Sequence, residues 1–231
     1  MLEGDDIRAY RSVLDKLLYL SHYRYDLQYH VRGLCQSMQN PTCGGMRALK
    51  HLVRYCKGTE SMALYFPAGT RAREISVYAD SNWAGSDDPQ RRSVSSGIVL
   101  MDRCPLVTWS RTQASCSVAL SSGEAEFMAA VTAIIEALGV AAVLEEINIV
   151  LPITIYTDST VCLSVLNRLG AGSRLKHVQT KLFFVQELVR SGRIKTCKVD
   201  TKENPADIGT KSLGASVLQP PFPQSRYEDE P

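Results

Sequence analysis

The stretch "EISVYADSNWAG", residues 74–85, alternates Ile75, Val77 and Ala79 with Ser76, Tyr78 and Asp80. Alternation of β-forming residues at a period of two predicts a strand over 74–80. A polar, turn-rich run, "SNWAGSDDPQRRS" (81–93), follows it. The strand therefore carries a carboxylate, Asp80, to its end. "PITIYTD" (152–158) does the same with Asp158, and both acids are followed by a serine.

Working outward, further strands are predicted at roughly 95–102 and 105–111, joined by the tight connection "DRCP". "LSSGEAEFMAAVTAIIEALGVAAVLEEI" (120–147) predicts a long helix, with Ser121 and Glu124 in capping-box spacing. "STVCLSVLNRLG" reads as a short helix stopped by Gly170. "SRLKHVQTKLFFVQELVRSG" reads as an amphipathic helix stopped by Gly192, with Leu182, Val185, Leu188 and Val189 as its core stripe. "RIKTCKVDT" is a strand and "NPADIGTKSL" a short terminal helix. The order βββα-β-α-α-β-α implies an α/β fold: one mixed sheet with helices on its faces.

Residues 8–58 have helical periodicity in three runs, the last with Met46, Leu49, Leu52, Val53 and Cys56 on one stripe and Gly58 as its stop. "MALYFPAGT" (62–70) reads as a short strand and then a linker. The expected organisation is a helical segment over 1–70, an α/β domain over 71–213 and a disordered Pro-rich tail over 214–231.

Composition bounds the function. The chain has 231 residues, 45% of them hydrophobic, and a formal net charge of +2, so charge does not announce a nucleic-acid binder. Seven cysteines without C-x-x-C spacing predict reduced, mostly buried thiols rather than a zinc site. "MLEGDDIRAY" has no apolar leader, and no window is expected to approach the ~18 apolar residues of a membrane helix. The expectation is an intracellular, non-secreted chain with no membrane partner.

Parallel strands joined by helical crossovers place their C-terminal ends on one sheet edge. If the strands bearing Asp80 and Asp158 are neighbours, the carboxylates lie about one strand spacing, ~5 Å, apart. Such a pair repels unless a divalent cation sits between them. The plainer alternative is that each Asp caps the turn or helix after it. Glu124 and Glu126 lie about 200° apart on a helix, so they cannot share a site. Glu126 heads a row of small residues, Ala130, Ala133, Ala137 and Ala141, that lets its face approach the sheet. Glu126 is thus the inward acid and Glu124 the capping one. Asp207 opens the last helix, where an acid also suits the helix dipole. Four such carboxylates make a hard-oxygen cage suited to Mg²⁺, and two ions there can activate a water and stabilise a leaving oxygen.

"YADSNWAG", "RRSVSSGIVL", "TWSRTQASCSVALSSGEAEFMAA", "IYTDST", "KHVQTKLFFVQELVRSGRI" and "TKENPADIGTK" together resemble the ribonuclease H domain of copia-type LTR retrotransposon Pol polyproteins. Residues 10–59 resemble the connection between reverse transcriptase and ribonuclease H in the same polyproteins. The resemblance implies a ribonuclease H-like fold with a five-stranded mixed sheet. It implies hydrolysis of the RNA strand of RNA–DNA hybrids with two Mg²⁺ or Mn²⁺ ions, in cytoplasmic virus-like particles or the nucleus. The family's four acids map onto Asp80, Glu126, Asp158 and Asp207. The missing reverse-transcriptase part of the polyprotein is the implied protein partner.

The sequence also departs from the family. The loop "VDTKEN" lacks the histidine of cellular ribonucleases H, Gln179 stands where the family has Asp, Asp15-Lys16 replaces small residues, and no Y-x-D-D polymerase motif is present. A catalytically decayed fragment that only grips hybrid or duplex nucleic acid is the alternative. Candidate phosphate contacts are Arg91, Arg92, Arg111, Arg174, Lys176, His177, Lys181 and Lys211, each of which reads first as a solvated surface charge. Ser81, Asn82 and Ser159 can bond sugar hydroxyls or backbone. Trp83 and Trp109 are read as core residues ahead of stacking platforms.

Overall fold

The computed structural model describes residues 2–62, 64, 66, 72–85, 91–102, 104–113, 119–168, 170 and 179–211. Five strands form one mixed sheet in the order β3-β2-β1-β4-β5: β1 (Ile75–Asn82), β2 (Val94–Met101), β3 (Cys104–Thr112), β4 (Ile153–Thr157) and β5 (Ile194–Lys198). The first three strands meander antiparallel, and β1, β4 and β5 run parallel. This is the five-stranded mixed sheet expected from the sequence.

Helix α4 (Ser122–Glu146) lies over β1 and β2. The row Glu126, Ala130, Ala133, Ala137 and Ala141 is buried throughout, as the small-residue stripe requires for close approach. Ile75, Val77 and Ala79 of β1 join Ile153, Ile155, Phe127 and Ile134 in one core. Helices α5 (Thr160–Asn167) and α6 (Gln179–Arg190) pack beside it, with Leu182 and Val185 fully buried and Leu188 and Val189 at its margin. Gly97 on β2 pairs with Trp109 on β3, and a Cβ at Gly97 would stand 2.1 Å from the indole. Only glycine lets that ring lie across the strand.

Strand β1 runs two residues beyond Asp80, so this acid sits within the strand rather than at its end. The other sheet face is polar: Glu74 accepts hydrogen bonds from Ser76 Oγ (2.6 Å) and Thr154 Oγ1 (3.1 Å). Tyr78 and Tyr156, in register on β1 and β4, stack at 4.7 Å.

The front segment forms α1 (Gly4–Leu20), α2 (Gln28–Gln36) and α3 (Cys43–Gly58) around a second core of Tyr10, Leu14, Leu17, Leu27, Val31, Leu34, Leu49 and Leu52. Between α1 and α2, Arg24 pairs with the buried Asp26 at 2.7 Å, and Tyr55 donates to the same carboxylate at 2.9 Å. Gln28 Nε2 reaches Thr108 Oγ1 on β3 at 2.8 Å, tying this segment to the sheet.

Several expectations fail. Met62, Leu64 and Phe66 are in no strand, and Met62 and Phe66 are exposed; the rest of 62–70 lies outside the described residues. The tail 214–231 lies there too. Of the described cysteines only Cys162 is buried, while Cys43 and Cys197 are exposed. Trp83 is 45% exposed, because β1 ends one residue before it and the chain turns away from the core. Finally, α4 is long and apolar enough to cross a membrane by length and composition alone. Its apolar character has a different cause here, since half of that window is packed inside the protein against the sheet.

Candidate metal centre

The β1–β4 pairing ends at Tyr78↔Tyr156; Asp80 lies two residues further along β1, and Asp158 directly follows the last residue of β4. Helix α4 brings Glu126 to the same edge. One carboxylate oxygen from each of Asp80, Glu126 and Asp158 lies within 4.8 Å of the others. Among the described residues this is the one grouping of three such ligands.

The choice between the two helix acids follows from their bonds. Glu124 accepts from the Leu120 amide at 2.9 Å while Ser121 caps the helix, so it is spent on the α4 N-terminus. Glu126 is 8% exposed, and its Oε2 is buried without a hydrogen-bond partner.

Asp80, 4% exposed, accepts a hydrogen bond from the hydroxyl of Thr210, which is itself fully buried. Burial pushes the Asp80 carboxyl up to about 7; the Thr210 bond opposes this and the charge of Asp207 adds to it. Burial, then the charge of Asp80, pushes Glu126 up to about 8. Both shifts have the physical origin expected of clustered, desolvated acids.

Asp207 sits in the 3-10 turn Pro205–Gly209 rather than in an α-helix. Two contacts hold that turn beside Asp80. Asn204 Nδ2 donates to the Ala79 carbonyl at 3.1 Å, and Gly209 presses on Ser96, where a Cβ would approach its Oγ to 2.1 Å. Asp207 is close enough to influence Asp80 but is not part of the three-oxygen group. Its Oδ2 accepts from Lys211 Nζ at 2.8 Å, and its Oδ1 is buried without a partner.

The donor set fits a hard divalent cation: carboxylate oxygens alone, with Glu126 Oε2 buried and unsatisfied within the group and Asp207 Oδ1 likewise beside it. The plainer reading of the acids as caps does not hold for Asp80, which accepts from a hydroxyl of the C-terminal turn.

The other candidates are distributed unevenly. Ser81 is half-buried with an unpartnered Oγ, and Asn82 closes β1. Ser159 Oγ caps α5 by accepting from the Cys162 amide at 3.1 Å. Arg91 is exposed with a left-handed φ of 55°, Arg92 is half-buried, and Lys181 is exposed on α6. Arg111 pairs with Glu136 at 3.0 Å, and Lys211 with Asp207. Arg174, Lys176 and His177 lie outside the described residues. Trp109 is core, whereas Trp83 holds its indole N–H on the Ala119 carbonyl at 3.0 Å. Thr210 and Asn204 escaped the sequence reading; the only signal was their place around Asp207 in "NPADIGTK".

This strand order, with acids gathered beyond the point where the parallel pairing of β1 and β4 ends, is that of the ribonuclease H fold. The chain matches a segment of retrovirus-related Pol polyproteins of plant retrotransposons. It is 31% identical over 216 residues, 93% of its length, to the retrovirus-related Pol polyprotein from transposon RE1 of Arabidopsis thaliana. It is 28% identical over 204 residues, 87% of its length, to that from transposon TNT 1-94 of Nicotiana tabacum. It spans only 14% and 15% of these relatives. No protein-family model matches the chain. Among solved structures, a foamy viral protease-reverse transcriptase in complex with double-stranded DNA aligns at a TM-score of 0.52 and 14% identity, over 84% of this chain and 32% of that one.

Proposed function

We propose that this chain hydrolyses the RNA strand of RNA–DNA hybrids with two Mg²⁺ or Mn²⁺ ions, as the ribonuclease H portion of a Pol polyprotein. The observation that carries the reading is the trio Asp80, Glu126 and Asp158, with one oxygen of each within 4.8 Å of the others. The similarity to Pol polyproteins and the fold support it.

Asp80, Glu126 and Asp158 would hold one ion, and Asp207 with Asp80 the second. Ions bound there supply water activation and stabilisation of the leaving oxygen. The protein's own part is positional. Thr210 fixes the Asp80 carboxylate, α4 delivers Glu126 into a water-poor recess, and Ser81 and Asn82 stand beside the acids to meet ribose hydroxyls. The helical segment would dock on the reverse-transcriptase part of the polyprotein.

The test is cleavage of an end-labelled hybrid by the purified chain, with Mg²⁺ or with EDTA. Cutting of the RNA strand that needs the metal and is lost in Asp80→Asn and Asp158→Asn is expected. Full activity in Asp158→Ala would overturn the reading. The loop over 199–204 without histidine leaves a second reading, a binding-only fragment, which zero turnover with retained hybrid binding would select.

A further inference from the structure

We infer that Lys211 is a resident counter-ion that competes with the second divalent cation for Asp207. The inference rests on the metal reading above and concerns how that site fills. Lys211 Nζ lies 2.8 Å from Asp207 Oδ2, and Lys211 follows directly on Thr210, which holds Asp80. The ammonium also senses the charges of Asp80 and Asp158. A single cationic side chain therefore contacts one of the four acids and feels the charge of two more.

The fourth acid is consequently not equivalent to the other three. Glu126 Oε2 has no protein partner for an ion to displace. Asp207 instead has one oxygen occupied and the other, Oδ1, buried and unsatisfied. An ion at Asp207 must displace an ammonium from Oδ2 or share the carboxylate with it. Lys211 is 48% exposed at its side chain, so it has water to swing into when displaced. The ions thus bind in order: first at Asp80, Glu126 and Asp158, and second at Asp207 at higher concentration. Lys211 is a positioning residue in this sense, since it acts through Asp207 and not on substrate.

Calorimetric titration of Mg²⁺ and Mn²⁺ into the full chain tests this. Wild type should show one stronger and one weaker site. Lys211→Gln should tighten the weaker site about two- to fivefold, the scale of one partly exposed charge pair, and leave the stronger one unchanged. Lys211→Arg, which keeps the charge, should behave as wild type, and Asp207→Asn should lose the weaker site alone. As a readout independent of activity and calorimetry, the rise in melting temperature on adding metal should be larger in Lys211→Gln. Two sites in wild type with unchanged or weaker second-site affinity in Lys211→Gln would overturn the inference and leave the metal reading standing. No uptake of either ion by wild type would overturn both.

Discussion

Replacing Glu126 by Gln turns the buried acid into its neutral isostere and exposes the cost of clustering buried acids. The folded Glu126 titrates near about 8, against an ordinary value of 4.5. Between these values the folded chain keeps a proton that the unfolded chain has released. The unfolded state then binds fewer protons, so stability falls as pH rises through this window and levels off above it. A shift of this size corresponds to ~5 kcal/mol between the two protonation states. Urea unfolding in EDTA at pH 5 and pH 9 reads it directly. At pH 5 wild type and Glu126→Gln should be nearly equal; at pH 9 the variant should be the more stable by up to that amount. Asp80, raised to about 7, contributes its own slope in both proteins and cancels in the difference. Mg²⁺ at pH 9 should stabilise wild type and not the variant. A difference between the two proteins that stays constant from pH 5 to pH 9 would refute the claim that burial of a clustered acid, rather than ordinary helix placement, defines this site.

Gly97→Ala drives a methyl into the Trp109 indole, 2.1 Å away, and should lower stability by ~3 kcal/mol, read as a drop in the urea midpoint at unchanged slope. Thr210→Val removes the donor to Asp80 and should weaken Mg²⁺ uptake, while Thr210→Ser restores it; equal uptake in all three would show that the bond does not position the carboxylate. Arg24→Ala leaves Asp26, 8% exposed, without its ion pair, and should cost ~3 kcal/mol. Hydrogen exchange should report that loss first in residues 4–58, whose core is separate from that of the sheet.

The sheet was legible because its strands follow simple rules. Ile75, Val77 and Ala79 alternate with polar residues, and they do line the α4 side of β1. The alanine row pointed to Glu126 over Glu124, since only small side chains allow a helix so close to a sheet. What resisted reading was non-local. Nothing near Thr210 says that its hydroxyl meets a carboxylate 130 residues earlier. The exposure of Trp83 depends on where β1 lets go, and pattern locates strand ends poorly. Lys211 reads as a phosphate contact until the turn shows it folded back on Asp207. The apolar length of α4 carries two meanings that composition cannot separate, a core helix or a membrane span, and only its packing decides between them.

The fourth acid depends on more of the chain than the other three. Asp80 rides on a central strand paired on both sides, Asp158 directly follows another, and Glu126 sits on a helix pressed to them. Asp207 rides on a five-residue 3-10 turn, too short to hold itself. Its supports are borrowed: Asn204 on the Ala79 carbonyl, Ser110 Oγ on the Gly209 carbonyl, and the front segment. The turn Tyr25–Leu27 and helix α2 pack against Pro205–Gly209, and Gln28 anchors α2 to β3 next door. The helices that precede the sheet in sequence thus brace the acid that comes last. A partner docking on those helices would act on Asp207 before it acted on the other three acids, which gives the front segment a physical route to the site without touching it.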